Sequence, residues 1–87
     1  MTDLSKHASH PKIINRLKRA DGHLRRVICM IEEEQACLEI AQQLQAVEKA
    51  IVQAKRTLIH DHIDHCIGGS VDQNEAISDL KAIAQYL

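Results

Sequence analysis

CLEIAQQLQAVEKAIVQAKRTLIHDHIDHC, from Cys37 to Cys66, decides how this chain folds. It holds no proline or glycine, and apolar residues recur at Cys37, Ile40, Leu44, Val47, Ile51, Ala54 and Leu58. Steps of three and four residues draw a stripe along one side of a helix, so the stretch predicts a single long amphipathic helix. Near its end His62 and Cys66 stand four residues apart, share a helical face and suit one small metal ion. Cys37 lies 25 residues before His62. At the rise of an α-helix that is roughly 37 Å, too far for one straight helix to close the site. Two copies packed antiparallel bring each Cys37 beside the other copy's His62 and Cys66. The spacing therefore predicts a metal site shared between protomers.

The rest of the 87-residue chain fits around that helix. The length suits one domain, residues 1–87, and a domain this small buries a modest share of its surface. With no Phe, no Trp and only Tyr86, aliphatic side chains must supply the core. Long aliphatic stripes suit association, so an oligomer is expected. Residues 1–9 are polar and read as a flexible tail, and Pro11 suits the first turn of a helix. Ile13, Leu17, Ala20, Leu24, Val27 and Ile31 then mark helix 1. Gly22 inside it costs about 1 kcal/mol relative to alanine, which suggests close contact with a neighbour. Three glutamates, Glu32 to Glu34, oppose the dipole at a helix end, which puts the break between Glu32 and Ala36. Gly68 and Gly69 end helix 2. Asp72 and Glu75 resemble a capping box, and Ile77, Leu80, Ala84 and Leu87 mark a short helix 3. No strand signal appears. The fold class is all-α.

Net charge is −1, but Lys12, Arg16, Lys18, Arg19, Arg25 and Arg26 face a single acid, Asp21. A hairpin of helices 1 and 2 turning near residue 35 brings residue i beside residue 70 − i. Arg16, Lys18, Arg19, Lys55 and Arg56 then merge into one basic face that can meet a polyanion, although charge on a helix is often only solvated. The same rule carries His7 and His10 toward the His62 end, as possible additional ligands. Cys37 has a bland reading as a small core hydrophobe. Cys29 reads as structural or as a surface thiol, and His23 as a packing or surface residue. No leader or membrane span is recognisable, which points to the cytoplasm and reduced thiols. No catalytic constellation appears, so an enzyme is not expected.

The spacing Cys37…His62-x3-Cys66, the NRLKRADGH run from Asn15 to His23, and the QLQAVEKAI and LIHDHIDHC segments resemble the copper-sensitive operon repressor family. That family also includes nickel/cobalt and formaldehyde sensors. The resemblance runs from about His10 onward. It implies a three-helix protomer, an antiparallel dimer, a disc-like tetramer, and a repressor that leaves operator DNA when its effector binds. It also implies Cys37, His62 and Cys66 as metal ligands, with Cys37 donated by the other protomer, and Arg16 and Arg56 as DNA contacts. Copper-sensing members carry a tyrosine before the first cysteine and a glutamate in helix 3, where this chain has Ala36 and Asp79. Nitrogen from His7 or His10 would favour Ni(II)/Co(II), the expected effector, with Cu(I) the alternative for two thiolates and one imidazole. A metal store or chaperone is the reading from outside transcription.

Overall fold

The structure, a computed structural model, describes residues 9–68 and 73–87, with only the backbone of 65–68. Three helices follow in order: α1 (His10–Glu32), α2 (Cys37–Gly68) and α3 (Gln73–Ala84). The boundaries between α1 and α2 fall where the glutamates and the 3-4 stripe place them. The expected Asp72 half of a capping box lies outside the described residues, as does Gly69.

The turn is built from backbone bonds. Gln35 N–H donates to Met30 C=O (3.0 Å) and Glu34 N–H donates to Ile31 C=O (3.0 Å). These nested bonds form a Schellman motif, which satisfies carbonyls that the end of α1 would otherwise leave open. The motif needs a left-handed residue, and Glu34 fills that place with φ 56°. A side chain there costs roughly 1–2 kcal/mol, which is why glycine is usual at this position. Cys37 opens α2 immediately afterwards, one residue past Ala36, whose carbonyl accepts from Ile40 N–H (3.1 Å).

Helices α1 and α2 form an antiparallel hairpin, and among the described residues α3 packs only on α2. Side-chain bridges fix the register: His10 meets Asp61, Arg16 meets Thr57 and His23 meets Gln43. Each lies within about one helical turn of the partner that a turn at residue 35 predicts.

The apolar stripes do not act as single seams. Val47 and Ala54 are each 2% exposed, buried with Ile13, Ala20 and Val27 of α1, whereas Leu44 and Ile51 are 45% exposed and Leu58 40%. Positions three residues apart differ by about 60° around a helix, so each stripe splits into two rows of seven-residue spacing. One row of α2 packs on α1. The other stays open, alongside Leu17, Leu24, Ile28 and Ile31 of α1. Ile59, turned about 120° from Val47, is also buried. In α3 the partly covered residues are Ala76, Leu80 and Ile83, while Ile77, Ala84 and Leu87 are exposed. Of the expected α3 stripe Leu80 is in place, Ile77 and Ala84 are each one position past a covered residue, and Leu87 lies beyond the helix. Gly22 departs from expectation too: a Cβ built there meets nothing within 4 Å. Its outward position on α1 gives the glycine no packing role within the chain.

The result is a flat sheet of helices measuring 54 × 29 × 13 Å. Its accessible surface is 6902 Å². A compact 9.8 kDa monomer exposes about 5,200 Å². Six buried apolar residues make up the described core, Ile13, Ala20, Val27, Val47, Ala54 and Ile59. That is thin support for a domain standing alone.

Candidate metal centre and nucleic-acid interface

The hairpin has two unlike broad faces. One carries the open rows Leu17, Leu24 and Ile31 and Leu44, Ile51 and Leu58, with a 600 Å³ groove lined by Leu24, Ala41, Leu44, Val47, Ile51 and Val52 among others. On the other, Lys12, Arg16, Arg19, His23 and Arg26 follow one another at 4-3-4-3 spacing along α1. Opposite them α2 presents Ala50 and Gln53, which with Arg16, Arg19, Ala20 and His23 line a 380 Å³ cleft.

The expected ligand positions belong to the apolar face. Cys37 is an exposed thiol in the first turn of α2. From Cys37 to His62 the helix turns by seven near-complete revolutions, so the two positions agree to within about 20°. Position 66 falls as close on the other side, and between them along the helix Leu44, Ile51 and Leu58 drift away from Cys37 by about 20° per seven residues. The Cys66 side chain lies outside the described residues, as does His7. Within one chain, Cys37 and His62 sit at opposite ends of the 32-residue helix. No group of three His, Cys, Asp or Glu able to hold a metal occurs among the described residues. A single protomer does not assemble the site there.

The His62 end is nonetheless prepared. His62 Nε2–H donates to the Asp79 carboxylate of α3. A carboxylate accepts only, so the neutral ring that makes this bond carries its hydrogen on Nε2. Asp79 thus supports an imidazole from helix 3, one methylene shorter than a glutamate. The donor set of thiol and oriented imidazole fits a soft or borderline transition ion. His10 Nε2 lies 4.0 Å from Asp61 Oδ2, which ties the start of α1 to the residue before His62.

The five basic residues expected on one face divide. Arg16 and Arg19 border the cleft. Lys18, two residues from Arg16, is turned about 160° away from it. Lys55 shares the arc of Cys37 on the open apolar side, and Arg56 points to the side of α2 opposite α1. A hairpin aligns residues along its axis but does not choose their rotation, which is why the expected face splits. All five are exposed. Cys29 is an exposed thiol near the turn. His23, read from the sequence as a packing or surface residue, is half-buried and bonded to Gln43 Oε1 through Nε2 at 2.6 Å. Thr57, which the sequence reading passed over, accepts from Arg16 Nη1 at 3.1 Å. The hairpin register places Arg16 nearest Ala54, and only the rotation of the two helices brings Thr57 into reach.

An all-α hairpin with thiol and imidazole at opposite ends of one open helical face, backed by a row of cations, defines a class: helical metal-responsive regulators. The profile of the metal-sensitive transcriptional repressor family matches residues 9–86, and the chain belongs to that family. Among similar proteins is the copper-sensing transcriptional repressor CsoR of Mycobacterium ulcerans (strain Agy99). It is 38% identical over 58 residues, 67% of this chain and 50% of that protein. CsoR of Bacillus subtilis (strain 168) is 36% identical over 72 residues, covering 79% of this chain and 71% of its own length. The copper-sensing transcriptional repressor RicR of Mycobacterium tuberculosis (strain ATCC 25618 / H37Rv) is 32% identical over 66 residues, 76% of this chain and 69% of its own. The match thus spans about half the length of the mycobacterial CsoR relative. No helix among the described residues is long and apolar enough to cross a membrane.

Proposed function

We propose that the chain is a Cu(I)-responsive transcriptional repressor, working in the cytoplasm without enzymatic activity. The observation that carries this reading is the two-faced hairpin. Its apolar face holds Cys37 and His62 at opposite ends of an open row, so only a second, antiparallel copy brings them together. Its other face presents Lys12, Arg16, Arg19 and Arg26 to a polyanion. Pairing two copies through Leu44, Ile51 and Leu58 removes the exposed apolar surface and completes two equivalent sites. The four cations then hold duplex DNA through phosphates, with sequence preference coming partly from DNA shape.

Two thiolates and one imidazole suit Cu(I), and the relatives named above are copper-sensing. Both shift the balance from the Ni(II)/Co(II) reading toward Cu(I), despite Ala36 standing where copper-sensing members carry a tyrosine. Ni(II)/Co(II) remains the second reading because His10 lies beside Asp61 and offers a further nitrogen at the same end. With the site filled, Cys37 of one copy is tied to α2 of the other, and the pair settles in an arrangement whose basic faces fit DNA poorly. By linkage, DNA weakens ion binding by the same factor.

The test is release of duplex DNA, selected by the ion-free protein from a random-sequence pool, during titration with Cu(I), Ni(II), Co(II) and Zn(II). Release at the lowest free concentration of Cu(I) is expected. Equal DNA affinity with and without every ion rejects the repressor reading, and no binding to duplex at low salt supports a metal store or chaperone instead.

A further inference from the structure

We propose that Thr57 is a positioning residue for Arg16, holding its guanidinium on the cleft side of the hairpin for contact with a DNA phosphate. The proposal rests on the DNA-binding reading above. It starts from the bonding of one hydroxyl. Thr57 Oγ1 donates to the Gln53 carbonyl one turn back, at 3.0 Å. A hydroxyl has a single proton, so toward α1 Thr57 can only accept. Arg16 Nη1 supplies the matching donor at 3.1 Å. Thr57 is half-buried, and its bond to the Gln53 carbonyl selects one of the two χ1 rotamers open to a helical threonine, so the acceptor stays in place.

Arg16 itself is exposed. An exposed arginine ordinarily samples many rotamers, and ordering it on binding costs free energy. The bond to Thr57 uses one N–H of the fork and leaves the others for a phosphate, so part of that ordering is complete before DNA arrives. The direction matters as well. Thr57 draws Arg16 toward α2, across the cleft bordered by Arg19, His23, Ala50 and Gln53. Without that acceptor the side chain is free to extend away from the cleft along α1. A second bridge, His23 to Gln43, holds the same flank together farther along. That bridge acts on the helices rather than on a DNA-facing guanidinium, and it serves as the control.

The experiment compares wild type, Thr57→Val, Thr57→Ser, Arg16→Ala and the Arg16→Ala/Thr57→Val double variant on the duplex selected by ion-free wild-type protein. Valine keeps the shape and removes the acceptor; serine keeps the hydroxyl. DNA affinity is expected to fall about three- to tenfold in Thr57→Val. Thr57→Ser restores it, and Cu(I) affinity without DNA is unchanged in both. Arg16→Ala loses a phosphate contact in each bound copy and lowers the salt slope by about one per copy. In that background Thr57→Val causes no further loss, because the residue it positions is gone. Thr57→Ala repeats the comparison if the valine chain loses helicity. A Thr57→Val chain that binds like wild type overturns the proposal. So does a loss of equal size in the presence and absence of Arg16, which makes Thr57 a general support of the hairpin. Failure of the wild-type protein to bind any duplex strikes the DNA-binding reading itself and takes this proposal with it. Loss of affinity in Gln43→Leu equal to that of Thr57→Val also refutes a role specific to Arg16.

Discussion

Mixing two broken chains asks whether the metal centre spans protomers. Take one chain with Cys37→Ala and another with Cys66→Ala, unfold them together in equal amounts and refold. Each variant alone lacks a thiol at every site it can form. In a mixed antiparallel pair, the first chain brings an intact His62 and Cys66, and the second brings an intact Cys37. Those three residues meet at one end of the pair. At the other end both lesions coincide. Random reassortment makes about half the pairs mixed, each with one whole site of two, so about one quarter of wild-type capacity returns. The separation along α2, roughly 37 Å between Cys37 and His62, is what rules out rescue within a chain. The assay is Cu(I) stoichiometry against a chelator strong enough to strip incomplete sites, applied to each parent and to the mixture. Capacity near one quarter supports the shared centre. Capacity no higher in the mixture than in the parents refutes it, because ligands from one chain cannot complement.

Ile51→Lys puts a charge in the middle of the open row and is expected to leave the isolated hairpin helical. Sedimentation should show loss of the paired species, together with loss of high-affinity Cu(I) binding. Asp79→Asn leaves His62 without its carboxylate, and a drop of about 10–100-fold in Cu(I) affinity is expected by chelator competition. Glu34→Gly removes a side chain from the left-handed position of the turn, so denaturant unfolding should show a gain of about 1 kcal/mol. Gly22→Ala, with open space around the added methyl, should stabilise by a similar amount of about 1 kcal/mol in the same assay. Destabilisation there would mean that another copy of the chain packs against Gly22.

Most of the architecture was legible in the sequence, because the signals that set it are local. The unbroken 3-4 stripe gave α2, Pro11 opened α1, and the run Glu32 to Glu34 marked the turn. The hairpin register followed from the turn, and His10 does lie beside Asp61. What the sequence hid was rotation. Apolar residues at Leu44 and Val47 look alike in a stripe, yet one is open and the other covered, since periodicity records hydrophobicity without saying which neighbour uses it. The same blindness joined Lys18 and Lys55 to Arg16, and it moved the α3 stripe to Ile77 when Ala76 and Ile83 are the covered positions. Glu34 could not be foreseen either, since glycine is the residue that announces a left-handed cap. The spacing of Cys37, His62 and Cys66 was readable, but the hold of Asp79 on the His62 ring depends on where α3 docks.

The separation of α2 into two heptad rows has a further consequence for how such chains diversify. Val47 and Ala54 answer to α1, so changes there tax the fold of every copy. Leu44, Ile51 and Leu58 make no such demand within the hairpin. Altered shape or charge along that outer row can redirect which chains recognise one another while the protomer stays intact. Paralogous sensors sharing one cell can in this way avoid mixed assemblies, each keeping its own effector response, through substitutions on a single line of residues.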